Sequence, residues 1–255
     1  MLSGGGPSYG WRTRALSLLV GGVVWEAVSA IAATPFLPSA SATMAALVEL
    51  ARNGLILGSL SISIANLVVG FLAAAFVGVA VGVTMARVRQ IEMMVEPILH
   101  ALLSAPGLIF VPLLFTLFGA TRLTQVGSVF VHAVFAITAT TVDSLRPKSA
   151  ALIAMATAFG ATDAQIFWSI RWREAHPMLV SGLRIGALLA VKGMINGEMF
   201  IAFTGLGALT RTYAARFEAD KVMAIVVVIS AVALAAGALM DVVSRGWRRT
   251  PARSR

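Results

Sequence analysis

The side chains that could carry catalysis do not occur in this sequence at the spacings that catalysis requires. There is no cysteine, and the three histidines, His100, His132 and His176, stand far apart without an HExxH motif or paired acids. No Gly-x-Ser-x-Gly nucleophile elbow is present. Lys148-Ser149 is the only Lys-Ser/Thr pair, and it follows Arg146-Pro147, so the glycine-rich loop that cradles ATP phosphates is missing. We therefore expect no enzyme activity and no bound cofactor, and any ATP hydrolysis must take place on another polypeptide.

Several ionisable residues instead lie inside long apolar segments, where a charge is costly and usually faces the interior of a helix bundle. They are Glu26, Arg184, Lys192, Glu198 and Asp241. Arg184 and Asp241 are near the inner ends, where long side chains reach the headgroups. Lys192 could assist an anionic solute or pair with another helix, whereas for Glu198 we favour interhelical pairing close enough to the outer interface to reach water. The candidate residues for a solute pathway or a subunit contact are Asn66, His132, Lys192, Asn196 and Glu198.

The composition places these residues in a membrane. Of the 255 residues, 58% are hydrophobic and 12% are charged, and the mean hydropathy is +0.89. A soluble domain is about a quarter charged, and a globule of this composition would lack polar residues to cover its surface. The apolar runs are long, rich in alanine, leucine and glycine, and lack the alternation of strands. The sequence predicts an all-α, polytopic membrane protein with one domain.

Six segments are apolar over the roughly 20 residues that a helix needs to cross a bilayer. They are residues 15–33, 57–84, 97–118, 124–143, 178–202 and 222–243. With the N-terminus in the cytoplasm, thirteen of the 20 Lys and Arg residues lie on the inner side and five on the outer side. Basic loops stay inside, so we expect cytoplasmic tails over 1–14 and 245–255 around a membrane domain over 15–244. The net charge of +9 thus reflects topology and indicates no nucleic-acid partner.

The first segment could instead be a cleaved signal peptide, because Ala30-Ile31-Ala32 is typical of a peptidase site. Glu26 interrupts the run, however, and the segment is long for the apolar part of a signal peptide, so we expect a retained helix. Beyond it, Pro35 and Pro38 exclude a continuous helix. The apolar residues within 41–53 fall on one side, which predicts a short amphipathic helix at the outer interface.

The longest break in the apolar pattern covers residues 144–177, on the predicted cytoplasmic side. Residues 149–159 are strong helix formers, and Gly160 follows them as a C-cap. Thr162 and Gln165 match a capping box. The sequence therefore predicts a helix, a glycine elbow and the start of a second helix.

The second helix is predicted over 163–172, and His176-Pro177 is expected to break the chain before the fifth span. Its apolar side carries Ile166, Phe167, Trp168 and Ile170, followed by Trp172. A loop in water does not normally present such residues. They could lie in the inner membrane interface as an aromatic belt, or they could dock into a groove on a cytoplasmic partner. The missing phosphate-binding loop favours docking, because an active transporter would need a separate ATPase.

The runs Ala156–Thr162 and Pro177–Arg184, with Phe167 between them, resemble the signature loop of binding-protein-dependent ABC transporter permeases. The similarity is closest to the branch that contains nitrate, sulfonate and taurine importers. Further matches, in order along the chain, are Leu37-Pro38-Ser39, Ser63, Gly70-Phe71, Pro97, Ala105-Pro106, Pro112, Phe118-Gly119, and Glu198 with Gly205-Leu206-Gly207. The resemblance covers roughly residues 16–243.

This resemblance implies a type I ABC importer permease with six transmembrane helices in the plasma membrane of a prokaryote. Two permease subunits, expected to be a homodimer, would form the pathway, and an extracytoplasmic binding protein would deliver a small solute. Two cytoplasmic ATPase subunits would grip the loop around 160–172 and bind the ATP. The implied ATPase-coupling residues are Gly160, Ala161, Thr162, Asp163, Gln165, Ile166, Phe167, Trp168 and Ile170. The alternative is a self-contained secondary transporter or channel that uses Lys192, Glu198 and His132.

The sequence departs from this family pattern at three places. The leading glutamate of the signature loop aligns with Ala154, and its Leu-Pro pair aligns with Trp172-Arg173. The arginine expected after Ser63 aligns with Asn66. These differences could retune docking to the ATPase without changing the fold.

Overall fold

The computed structural model describes residues 11–32, 34, 36–147, 149–201 and 203–248, and this part of the chain is helical without strands. The α-helices are α1 (Trp11–Ala32), α2 (Ala40–Arg52), α3 (Leu55–Arg87), α4 (Arg89–Ser104), α5 (Phe110–Phe118), α6 (Arg122–Leu145), α7 (Ala150–Ala158), α8 (Asp163–Ile166), α9 (Trp172–Ile201), α10 (Leu206–Ala215) and α11 (Ala219–Arg248). A 3₁₀ turn, Gly107–Ile109, precedes α5, and a π-helical segment, Phe167–Arg171, joins α8 to α9. The predicted all-α class is confirmed. Residues 1–10 and 249–255 of the predicted tails, with Ala33, Pro35, Lys148 and Ala202, lie outside the described residues.

Four helices in the described residues are long and apolar enough to cross a bilayer. They are Leu55–Arg87, Arg122–Leu145, Asp163–Ile201 and Ala219–Val243. These helices coincide with the second, fourth, fifth and sixth predicted spans. The first predicted span is helical, but its apolar part, Leu19–Ala32, is shorter than the other four. The structure gives four crossings, or five when one bent pair counts as a span, so the predicted number of six is not confirmed.

The third predicted span is broken, which corrects the single helix expected over 97–118. Helix α4 and the segment that contains α5 meet at 94°. Ala105 is extended, with ψ of 135°, because the ring of Pro106 disfavours helical backbone at the residue before it. The bend brings Gly107 against His132, where a Cβ on the glycine would lie 2.5 Å from Nε2 of the ring.

Helix α6 is the centre of the fold and packs along both α3 and α9. Glycines let these backbones approach closely. A Cβ at Gly82 of α3 would lie 2.6 Å from Cβ of Thr141, and one at Gly193 of α9 would lie 2.6 Å from the carbonyl oxygen of Ser128. Small residues at such contacts permit the van der Waals packing that holds helices together in a membrane. The three helices therefore form the closely packed unit that carries the polar side chains described below.

A second layer is formed by α2, α10 and the start of α11. The predicted amphipathic helix is confirmed as α2, which is capped by the Ser39 side chain accepting from Ala42 N at 3.1 Å. The buried cluster of this layer contains Ala46, Leu50, Ile56, Leu206, Tyr213, Ala224 and Ile225. Its place at the outer interface stays a prediction. Helix α10 was not predicted from the sequence, in which the fifth span passes to the sixth through an unassigned loop.

Helix α1 contacts the rest of the chain through polar groups near its C-terminal half. Trp25 and Ser29 donate hydrogen bonds to backbone carbonyls of the connection to α2, at 3.0 and 2.7 Å. The Glu26 carboxylate accepts from N and Oγ of Ser41, at 3.1 and 2.7 Å. A carboxylate at the N-terminus of a helix is favourable because the backbone N–H groups there are unpaired. Glu26 therefore anchors α1 to the first turn of α2.

Candidate functional site

The predicted glycine elbow is present between α7 and α8. Gly160 has φ of +81°, a conformation that L side chains rarely adopt, and the N–H of Ala161 donates to the carbonyl of Ala156 at 3.0 Å. Thr162 and Gln165 form both halves of the capping box, with Thr162 N donating to Gln165 Oε1 at 2.8 Å. Local chemistry therefore fixes the turn without help from distant contacts.

The second helix does not stop at His176-Pro177, which corrects the break predicted there. Helix α8 continues through the π-helical segment into α9, and Asp163–Ile201 is one helix of 39 residues. The N–H of Trp172 donates to the carbonyl of Phe167 in the π-helical turn. Spanning helices tolerate proline because local π adjustments and neighbouring helices satisfy the freed backbone groups. The elbow is thus the end of the fifth span itself.

Two side chains that were expected on an exposed docking face are buried inside the chain. Ile166 and Phe167 are 7% and 4% exposed. Phe167 packs with Leu145 and with the start of α9, and the Arg87 guanidinium lies 4.1 Å from its ring centroid. A buried aromatic ring under a guanidinium gains both apolar burial and a cation–π contact. These residues attach the elbow to the C-terminal ends of α3 and α6.

The exposed surface of the elbow is formed by other residues. Trp168 is 54% exposed and Phe159 is 86% exposed. A groove of about 430 Å³ is lined by Ala156, Phe159, Gly160, Ala161, Gln165, Ile166, Ser169 and Ile170. Helix α7 has no buried residue, so it stands out from the bundle. We name Phe159, Gly160, Gln165, Trp168 and Ile170 the elbow face.

Arg146, in the segment between α6 and α7, forms ion pairs with three carboxylates. Its guanidinium contacts Glu96 at 2.6 Å, Asp143 at 3.1 Å and Glu92 at 3.3 Å. The hydrogen bond that Arg146 donates to the Glu96 carboxylate is the main reason that the pKa of Arg146 is raised above its ordinary value. Arg146 follows the last residue of α6, so this cluster joins the C-terminal end of α6 to α4.

Near the middle of the bundle, His132 on α6 and Asn196 on α9 are hydrogen-bonded. His132 Nδ1 lies 2.7 Å from the carbonyl oxygen of Ser128, and Nε2 lies 3.1 Å from Asn196 Nδ2. Because a carbonyl oxygen only accepts, Nδ1 carries the proton and Nε2 accepts from the amide. The ring is therefore neutral in this arrangement.

Lys192 lies one helical turn from Asn196 on the same face of α9. His132 and Asn196 are half-buried and Lys192 is exposed. The structure thus brings three of the five predicted pathway residues to one side.

Glu198 belongs to a different place, between α9, α3 and α10. It has no exposed surface, and its Oε2 accepts from Ser63 Oγ at 2.8 Å and from Gly207 N at 3.0 Å. Ser63 Oγ also accepts from Leu206 N at 2.9 Å, so the two side chains cap the N-terminus of α10. The expectation of interhelical pairing is confirmed, whereas contact with water is wrong for this chain. Glu198 therefore does not join His132 and Lys192, as a self-contained transporter using all three would require.

Asn66 is part of a neighbouring buried network. Its Oδ1 accepts from Arg122 Nε at 2.8 Å, and its Nδ2 donates to Gln125 Oε1 at 2.8 Å. Gln125 in turn donates to Thr204, at 3.3 Å. A cavity of about 560 Å³ opens beside this network, with Ser61, Thr121, Arg122, Gln125 and Thr204 among its lining residues. Arg122, Gln125 and Thr204 were not predicted, because only the fold brings these distant positions together.

Fold and site together define a class of protein. The chain is a polytopic helical membrane protein with a capped loop at one end, and its described residues hold no cluster of three or more possible metal ligands. A family model for the inner membrane component of binding-protein-dependent transport systems matches residues 75–249, and the chain belongs to this family. The predicted ABC permease identity is confirmed. The family is a membrane transport component and not an enzyme, because ATP hydrolysis takes place on a partner subunit.

Individual relatives agree with this assignment. The formylaminopyrimidine transport permease protein of Halalkalibacterium halodurans is 26% identical over 209 residues, which cover 82% of this chain and 83% of that protein. The taurine transport system permease protein of Escherichia coli K12 is 24% identical over 174 residues, 68% of this chain and 63% of that protein. A chain from the inward-facing MetNI methionine ABC transporter has a TM-score of 0.63 at 21% identity, covering 75% of this chain and 95% of that chain. The last similarity shows the fold.

Proposed function

We propose that this chain is the permease subunit of an ATP-driven importer and that it couples to a separate cytoplasmic ATPase through the elbow face. The observation that carries this proposal is the continuity of the elbow with the fifth span, as one helix over Asp163–Ile201. A helix of 39 residues is about 58 Å long at 1.5 Å per residue. Force applied at the elbow would therefore reach Lys192 and Asn196 without crossing a flexible joint.

The anchoring of the elbow supports the same proposal. Phe167, held between Arg87 and Leu145, fixes the orientation of α8 relative to α3 and α6. Trp168 and Phe159 remain available to a partner. An apolar helix face with rigid aromatic anchors is the kind of element that docks into a groove on another protein.

The assembly that we propose has two permease copies, two ATPase subunits at the elbow faces, and a binding protein at the opposite side. Both tails, 1–14 and 245–255, are then cytoplasmic and the membrane is the plasma membrane of a prokaryote. No cofactor is needed on the permease, because the partner ATPase binds the ATP. The relatives are named for formylaminopyrimidine, taurine and methionine, so their names do not fix the solute of this chain.

The experiment that tests coupling is the replacement Gly160→Val. A β-branched residue at φ of +81° is strained by about 1–3 kcal/mol, so the elbow should change shape. We expect loss of ATPase co-purification and of the ATPase activity of the complex in liposomes. Gly54→Val is the matched control, because Gly54 has φ of +71° and, like Gly160, no neighbouring atom within 4 Å of an added Cβ. Equal co-purification of the ATPase with both variants would contradict the proposal.

A further inference from the structure

One face of α9 is left uncovered along its length, and it contains a charge. The exposed residues on this face include Ile185, Leu188, Lys192 and Met199, at intervals of three, four and seven positions. Such intervals place side chains on one side of a helix. Lys192 has no hydrogen bond or ion pair to any other described residue.

The depth of Lys192 makes its exposure significant. It lies nine residues before Ile201 and eight after Arg184, which is about 12–14 Å along the helix from each. Such a position is close to the middle of a hydrocarbon layer about 30 Å thick, too deep for the ammonium group to reach either headgroup region easily. Charged groups at this depth face a bundle interior or a water-filled cavity. The depth of Lys192 therefore indicates that in the assembly this face of α9 meets either another helix or water, and not lipid.

Beside Lys192, the polar groups are arranged as a donor site. The Nδ2 group of Asn196 gives one N–H to His132 and has a second N–H that the structure leaves unengaged. Three ammonium N–H groups and one amide N–H then lie within one turn of α9. No carboxylate is paired with them in the described part of the chain. Such a set of donors matches an oxyanion, which offers only acceptors.

We propose that Lys192 and Asn196 form a contact site for the oxyanion group of the transported solute, halfway across the membrane. The site rests on the proposed function, since it needs a pathway between permease subunits. His132 is a positioning residue. Its Nε2 holds the amide of Asn196, and its Nδ1 is fixed by the carbonyl of Ser128. Carboxylates, sulfonates and phosphates share the chemistry that this site recognises.

The test uses the absence of cysteine from the sequence, which makes any introduced thiol unique on this chain. Leu188→Cys places a thiol one turn from Lys192, about 6 Å away. The probes are the anionic sulfonatoethyl and the cationic trimethylammonioethyl methanethiosulfonates. They are applied to membranes of cells that express the permease with its ATPase and binding protein. The measured quantity is the ratio of the two reaction rates, with Lys192 and with Lys192→Gln.

At about 6 Å and the dielectric constant of water, one positive charge should change each rate about three-fold, in opposite directions. We therefore expect Lys192→Gln to lower the ratio of anionic to cationic rates about ten-fold at Leu188→Cys. At Met155→Cys the ratio should not change. Met155 is exposed on α7, outside the elbow face, and Asp163 at the elbow is already about 44 Å along the helix from Lys192, far beyond the reach of a screened charge. The proposal would be overturned if the thiol at Leu188→Cys did not react. It would also be overturned if the ratio of anionic to cationic rates were the same with Lys192 and with Lys192→Gln.

A second measurement covers the case in which Lys192→Gln fails to accumulate. With Lys192 present, the ratio at Leu188→Cys should fall as salt rises from about 0.01 to about 1 M, because the Debye length shortens from roughly 30 to 3 Å. A ratio independent of salt would overturn the proposal as well. Neither result bears on the coupling of the permease to the ATPase, which is tested separately by the co-purification of the ATPase with Gly160→Val. Failure of this site and failure of the proposed function are therefore distinguishable.

Discussion

Ser63 on α3 and Glu198 on α9 share a hydrogen bond of 2.8 Å at a point without solvent exposure, although 135 residues separate them in the sequence. Both also accept from the first N–H groups of α10, Ser63 from Leu206 and Glu198 from Gly207. The pair thus joins three helices at one point. Gly205 is required beside it, because its φ is +96° and a Cβ there would collide with the Glu198 carboxylate.

Removal of the Ser63 hydroxyl should destabilise this point. In Ser63→Ala, Glu198 loses a donor and the N–H of Leu206 loses its acceptor, so we expect a loss of about 1–3 kcal/mol in the free energy of unfolding. Denaturant unfolding of the purified chain in detergent measures this loss. Ser61→Ala is the control, because the exposed Ser61 hydroxyl bonds only to Gly58 of its own helix, and a change within about 0.5 kcal/mol is expected. Similar losses of unfolding free energy in the two variants would show that the buried hydrogen bonds of Ser63 stabilise the chain no more than the exposed one of Ser61.

The hydrogen bond from Arg122 to Asn66 predicts energetic coupling between α6 and α3. The amide of Asn66 on α3 holds a guanidinium from α6, because Arg122 Nε donates to Asn66 Oδ1 at 2.8 Å. We expect a coupling of about 0.5–2 kcal/mol in a double-mutant cycle of Asn66→Ala and Arg122→Ala, measured by unfolding. A second cycle of Asn66→Ala with Arg89→Ala is the control. Arg89 lies just beyond the opposite end of α3, so the losses of unfolding free energy in the two single variants should simply sum in the double variant. If the losses were additive in both cycles, the hydrogen bond between Arg122 and Asn66 would make no net contribution to stability.

The proposed orientation predicts the side from which two exposed phenylalanines can be reached. Phe159 at the elbow is 86% exposed and Phe217, between α10 and α11, is 76% exposed. In a chain that otherwise lacks cysteine, Phe159→Cys should react with a membrane-impermeant maleimide only from the cytoplasmic side. Phe217→Cys should react only from the outer side. Labelling of intact cells and of inverted vesicles measures this, and labelling of both thiols from one side would contradict the orientation.

The features that follow from adjacent residues could be predicted from the sequence. Gly160 and the Thr162–Gln165 capping box act over three or four positions, so the elbow follows from local chemistry. The bend at Ala105-Pro106 could have been predicted for the same reason, since a proline disfavours helical backbone at the residue before it. Its neighbours are uniformly apolar, however, and a hydropathy pattern alone predicts one continuous span.

The features that depend on neighbouring helices could not be predicted in this way. Phe167 is buried because α3 and α6 end beside it. Helix α10 exists as a capped unit because Glu198 and Ser63 supply acceptors from far away in the sequence. In each case the atoms that bury the side chain or cap the helix belong to another helix, which sequence spacing does not reveal.

Phe167 and Trp168 are consecutive residues in opposite environments, 4% and 54% exposed, and this contrast separates anchoring from docking. Phe167→Ala should lower the free energy of unfolding by about 3–5 kcal/mol, because it leaves a cavity beneath Arg87. Trp168→Ala should cost much less, about 1 kcal/mol, since the Trp168 ring is itself more than half exposed and loses mainly its edge-to-face contacts with Phe167 and Trp172. Trp168→Ala should nevertheless reduce co-purification of the ATPase, because an exposed aromatic is a typical anchor of a helix in a groove. Unfolding in detergent and pull-down from solubilised membranes measure the two effects. Retention of the full amount of ATPase by Trp168→Ala would favour the alternative in which Trp168 belongs to an aromatic belt at the inner membrane interface.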